Sequence, residues 1–214
     1  MTALRASLFV PAPGLLLLRL AAGGQAGWAA GAGTAEAAHG ALVALARRDP
    51  AELALGLPEE GSAVDPARGL VAMAALDLLA RQEGVPAAML LGGTAGNVPL
   101  APPPGDPLPA GMVRLPGDPA ALRAALLDPA TLMIVAEPVA AGGPPGLRRL
   151  AAAARAFQVE VALLPVPHPA AVAAAAHLRA GIPWLGSRPV LADAAWRPDP
   201  ERPGFGWAPP GEAG

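Results

Sequence analysis

An α/β fold is what this sequence predicts, and three observations carry that reading. Hydrophobic residues fill 53% of the 214 positions and charged residues 15%, a balance that supports a substantial buried core and argues against disorder. Near the N-terminus two apolar runs of strand length flank a turn at Pro11–Gly14, the pattern of a hairpin. Farther along, Leu132–Ala136 is a short apolar run that leads to a helical stretch, Leu147–Phe157. That order suits a parallel strand buried on both faces and covered by a helix.

Composition excludes several function classes. A net charge of −2 leaves no basic footprint for nucleic acid and no polybasic surface for a membrane, so neutral surfaces or small molecules are the partners implied. The chain has no cysteine, which rules out disulfides and thiolate metal sites and fits a reducing, cytoplasmic setting. It also has no lysine. A Walker A phosphate loop, a Schiff-base enzyme and a lysine general base are thereby excluded. Of the three serines none sits in a Gly-x-Ser-x-Gly elbow, and the Gly-rich stretches lack a full dinucleotide fingerprint and read as turns.

Arg5 and the apolar run behind it have the outline of a secretory signal. Pro11, Pro13 and Gly14 punctuate that run and Arg19 interrupts it, so two strands fit better, with the next turn at Gly23–Gly24. Thr34–Arg47 reads as a helix with Thr34 as N-cap and Ala38, Leu42 and Leu45 at helical spacing. Gly56–Arg68 reads as a polar connection. Gly69–Gln82 reads as an apolar helix stopped by Gly84-Val85-Pro86, with Asp77 as its single acid. A lone carboxylate on an apolar face makes no catalytic pair, so Asp77 is expected to serve packing and hydrogen bonding. Pro102, Pro103, Pro104, Pro107 and Pro109 deny Val98–Pro109 the continuous backbone donors that an interior strand needs.

Val71–Gly93, VAMAALDLLARQEGVPAAMLLGG, resembles the segment closing the capping domain of enolase-superfamily proteins of the mandelate racemase, muconate lactonizing enzyme and o-succinylbenzoate synthase branches. The hairpin with Gly27-Trp28-Ala29-Ala30 is similar to that domain's meander, whose Gly-Trp-Gly-Glu-like element here carries alanine in place of the polar residue. Asp118–Leu164 resembles helix 5 to strand 7 of the family's barrel, and Ala170–Leu178 its helix 7. The resemblance implies an enolase-like α+β capping domain over residues 1–97, a truncated TIM-type β/α barrel over 98–203, and a C-terminal tail at 204–214.

An eight-fold barrel takes about 250 residues, roughly twice the length remaining after Val98, and a block spanning strands 2 to 5 reads as deleted. In the family those strands carry the Lys-x-Lys bases and the Asp, Glu and Glu that hold Mg²⁺. The only acids between Val98 and Ala136 are Asp106, Asp118 and Asp128, each beside a proline, a poor basis for an octahedral site. No cofactor is therefore expected, and Mg²⁺ only if the chain is an enzyme. By resemblance Glu137 stands where other branches place lysine or aspartate, at the end of strand 6, while the strand 7 positions have become Leu164 and Pro167. Glu137 is expected as a solvated rim carboxylate or, in an active enzyme, as a base with His168 of the Val-Pro-His-Pro loop. His39 and His177 read as packing or surface residues, and the four tryptophans as too scattered to stack nucleic acid.

Two functions remain as expectations. One is a catalytically incomplete, non-catalytic structural or interaction subunit. It would be a homo-oligomer or pair with a full-length superfamily partner that covers its exposed strand edges. The other is a lyase or isomerase of o-succinylbenzoate synthase, racemase or epimerase type, abstracting a proton from a carboxylate substrate.

Overall fold

The computed structural model describes residues 4–45, 48–55, 65–94, 96–185, 188–193 and 199–211. The expected hairpin is present as β1 (Arg5–Ala12) and β2 (Leu15–Ala22), and β3 (Gln25–Ala32) completes an antiparallel meander. Gly14, Gly23 and Gly24 take positive φ in its two turns, where a side chain would be strained. Leu16, Leu18 and Leu20 alternate inward on β2, so one face of the meander is core.

Helix α1 (Ala35–Leu45) starts where Thr34 caps it, with the Ala37 amide donating to the Thr34 hydroxyl oxygen at 3.3 Å. Residues 46–47 at the end of the expected helix, and residues 56–64 of the expected connection, lie outside the described residues, as does Trp196. Helix α2 (Pro50–Leu55) precedes that gap. Helix α3 (Pro66–Gln82) begins three residues before the position expected, because Asp65 caps it from the Ala67 amide and Pro66 occupies its first turn. It is buried on nearly every side from Ala67 to Ala80. Its backbone approaches β3 so closely that a Cβ on Gly27 would stand 2.2 Å from the Leu78 nitrogen. Gly84 at positive φ ends this helix before the short α4 (Ala87–Leu90).

Beyond α4 lies an arc of short parallel strands. β5 (Met112–Arg114), β6 (Met133–Ala136) and β7 (Glu160–Leu163) form one sheet, and β4 (Leu100–Ala101) pairs with β8 (Val190–Leu191), which lies beside β7. Helices α5 (Pro119–Leu127), α6 (Gly143–Ala156) and α7 (Pro169–Gly181) connect the strands. The deletion read from the sequence is thus too long by one strand. β5 stands directly before α5, too short at three residues to leave a periodic trace.

β6 and β8 are buried along their length and β7 beyond Glu160, as inner barrel strands require, whereas β4 and β5 are only partly buried. On β6, Ile134 and Ala136 face the large core under the helices, while Met133 and Val135 point to the barrel interior with Ala162 and Leu191. Leu108, from the proline-rich segment between β4 and β5, packs into that same interior cluster. The bypass therefore supplies a side chain where missing strands would have supplied several. Among the described residues no helix is long and apolar enough to cross a membrane.

The segment expected as a tail is bound to the capping helix. Gly204 bridges to Pro86, and Asp77, fully buried, accepts from the amides of Trp28 at 2.7 Å and Phe205 at 2.5 Å and from Arg81 Nε at 2.9 Å. Arg81 also donates to the Trp207 carbonyl. The structural role expected for Asp77 is what it performs, joining β3, α3 and the C-terminal segment. His177 is buried as well, its Nδ1 accepting from the Ala88 amide at 3.4 Å, and burial pushes it down to about 4. His39 is exposed.

Candidate functional site

A cavity of about 690 Å³ opens at the C-terminal ends of the arc's strands, within the range usual for small-molecule sites. Each strand end from β5 to β8 contributes to its wall: Arg114 from β5, Glu137 after β6, Leu164 and His168 after β7, Asp193 after β8. The rest of the lining is mostly apolar, with Val135, Val166 and Leu191 prominent. Glu137 and His168, picked out separately in the sequence, are brought to the same cavity.

Both are committed to local structure there. Glu137 opens a tight turn in which the Ala141 amide donates to the Glu137 carbonyl at 2.9 Å, and Gly142 and Gly143 close the turn at positive φ. Its side chain folds back on that turn, so that Oε2 accepts the Ala140 amide at 2.5 Å. Oε1 is sealed from solvent without a hydrogen-bond partner. The solvated rim carboxylate expected here is in fact half-buried, and burial raises its pKa against the opposing pull of the Ala140 and Val139 amides.

His168 is the N-cap of α7. Its extended backbone precedes Pro169, and Nδ1 accepts the Ala170 amide at 3.2 Å. In the neutral ring the proton therefore sits on Nε2, which makes that nitrogen a donor and not a base. Burial lowers its pKa, which favours this neutral form. The ring meets Trp207 edge-on at 5.3 Å, and Trp207 in turn meets Trp28, on which Phe9 stacks, each at 5.9 Å. Of the four tryptophans only Trp28 and Trp207 meet among the described residues, and since Trp28 is buried this line of rings offers no platform for bases.

Arg114 and Asp193 were not picked out from sequence. Each lies at the end of a strand of two or three residues, and strands that short show no alternation to mark their ends.

No protein-family model matches the chain, and no curated protein does either. Solved structures do match. An enolase from Pseudomonas fluorescens, solved with magnesium, potassium and tartrate, is 15% identical, with a TM-score of 0.67 over 96% of this chain and 88% of its own. A mandelate racemase/muconate lactonizing enzyme-like protein from Rubrobacter xylanophilus is 17% identical, with a TM-score of 0.63 over 95% of each chain. A dipeptide epimerase from Methylococcus capsulatus, solved with magnesium, is 18% identical, with a TM-score of 0.59 over 96% and 98%.

The chain has an enolase-like fold. In this enolase-like frame the meander and α1–α3 form the cap, and the cavity sits at the C-terminal mouth of a shortened barrel. The described residues do not fit the magnesium ion that the fold family implies. Among the described residues no group of three or more His, Cys, Asp or Glu side chains converges, whereas Mg²⁺ demands a near-octahedral oxygen shell. Asp118 and Asp128 are used on backbone amides at the two ends of α5, those of Ala121 and Ala130, each at 2.9 Å.

Proposed function

We propose that this chain is a non-catalytic enolase-fold protein that acts as a structural or interaction subunit. One observation carries the reading: the acid-base candidates at the barrel mouth, Glu137 and His168, are both turned onto backbone amides. Proton abstraction beside a carboxylate needs a free base and strong electrostatic support for the enolate. Here the carboxylate oxygen that could accept a proton is occupied or sealed.

A second reading, a lyase or isomerase of the enolase superfamily, is favoured by the convergence of Glu137 and His168 on one cavity. Exchange of substrate α-protons with deuterated solvent, monitored by NMR across a panel of 2-substituted carboxylates, separates the two. No exchange is expected from the parent protein. Exchange present in the parent and lost in a folded Glu137→Gln variant would establish the enzyme. The same variant has a stability signature. Glu137 has a raised folded pKa, so its native state holds the proton more tightly than the unfolded chain. Its contribution to stability therefore falls as pH rises through that window. Glutamine keeps an oxygen for the Ala140 amide and does not ionise, so in urea titrations the variant should gain on the parent as pH rises above the ordinary glutamate range.

The subunit reading also implies a partner, either a second copy or a full-length enolase-fold protein. Its support is the edge of β5, unpaired among the described residues, beside which Leu132 is 66% exposed. Exposed apolar surface next to an open strand edge is the kind that other chains cover. Light scattering across a concentration series should show self-association, and a concentration-independent monomer would leave the full-length partner as the only form of this reading.

A further inference from the structure

We propose that the cleft between the end of α3 and the C-terminal segment binds a small tetrahedral oxyanion of the phosphate or sulfate class. The cleft is separate from the barrel-mouth cavity and independent of the function proposed for it. Gln25, Arg81, Arg202, Gly206 and Trp207 line it, and no carboxylate does. Its volume is about 110 Å³. A water molecule's share of the liquid is about 30 Å³, so the cleft has room for one tetrahedral oxyanion. It is far below the ~300 Å³ at which organic ligand sites begin.

The donors are already in place. Arg81 has a side chain only 15% exposed and is held on two sides, by Asp77 through Nε and by the Trp207 carbonyl through Nη2. Nη1 keeps both its hydrogens for another acceptor, on a guanidinium that loses little rotamer freedom when it binds. Asp77 balances the charge of Arg81. Arg202, exposed and with no ion-pair partner among the described residues, adds an unbalanced positive charge at the same cleft. The Gln25 side-chain amide, at the start of β3, supplies further donors. The acids nearest in sequence stay outside the wall, and Asp199 is engaged by the Glu201 amide at 3.0 Å. Three segments distant in sequence thus present donors and no competing anion to a space of one ion's size, the conditions for charge-assisted recognition.

Thermal melts of the full chain at pH 7 across a sodium phosphate series, at constant ionic strength, test the proposal. Binding to the native state alone predicts a saturable rise in Tm. Arg202→Ala, at an exposed position that leaves the fold intact, should raise the phosphate concentration needed for half that rise by at least about tenfold, the loss usual for a hydrogen bond to a charged group. Gln25→Ala should weaken it in the same direction. Phosphate also stabilises proteins by exclusion from their surfaces, an effect that does not saturate and would be equal in all three proteins. A rise of that kind alone, or a saturable rise unchanged by Arg202→Ala, would overturn the proposal.

Discussion

Replacing Asp77 with alanine is expected to cost about 3–5 kcal/mol, a large share of the roughly 5–15 kcal/mol that holds a folded domain. The substitution removes one acceptor group and strands three donors in a buried site: the Trp28 and Phe205 amides and the Arg81 guanidinium. Asp77→Asn should cost less, because one carbonyl oxygen remains for an amide while Arg81 loses its counter-charge. The wild-type pair is not a large net stabiliser at neutral pH. Burial pushes the Asp77 carboxyl up to about 6, against Arg81 and the two amides, from an ordinary value of 3.8. The native state therefore binds this proton more tightly than the unfolded chain, and the contribution of Asp77 to stability falls as pH rises from about 4 to 6. Asp77→Asn should flatten that segment of the stability profile. Urea melts of both variants across about pH 4–7 check the two statements together, and an alanine variant within about 1 kcal/mol of the parent would show that the stranded donors find other acceptors.

Gly69→Ala gives the second large effect, and two opposing influences decide its sign. Alanine is a better helix former than glycine by about 1 kcal/mol, so an isolated α3 would gain. In the folded chain a Cβ at Gly69 would stand 2.2 Å from the Val139 carbonyl oxygen and 3.0 Å from two backbone atoms of Gly142. Backbone cannot swing aside as a side chain can. Helix α3 must lift from the turn, at a cost of about 3 kcal/mol that outweighs the propensity gain. That turn is the one Glu137 braces, so the displacement should also loosen the barrel mouth. A melt at or above the parent's temperature would show that cap and barrel do not press together at this point.

The elements legible in the sequence are those whose cause is local. Thr34 announces a helix start by capping chemistry, Pro11–Gly14 announces a turn, and the apolar run at Leu132–Ala136 announces the buried strand β6. The illegible parts are held by contacts across the chain. β5 is identified as a strand by pairing with β6, not by its own three residues. Nothing in the sequence around Leu108 says that it will enter the barrel interior. At the candidate site the sequence marked Glu137 and His168 by their place after strands. It did not show that each turns back on its own backbone, because the same residues in an open loop would read identically. Arg114 and Asp193 join them only through the closing of the arc.

The clasp at Asp77 bears on the order of events when the chain is made. Phe205 reaches Asp77 across 128 positions, and ribosomes add about 5–20 residues each second. The carboxylate and Arg81 thus emerge roughly 6–26 s before the groups that complete their shell. During that interval the Asp77 carboxylate lacks the Phe205 amide and Arg81 lacks the Trp207 carbonyl. The Asp77 clasp therefore closes only after Phe205 and Trp207 have been synthesised. A protease that cuts ahead of Gly204 removes the groups that complete the Asp77 shell and leaves α3 as it stood before Phe205 was made.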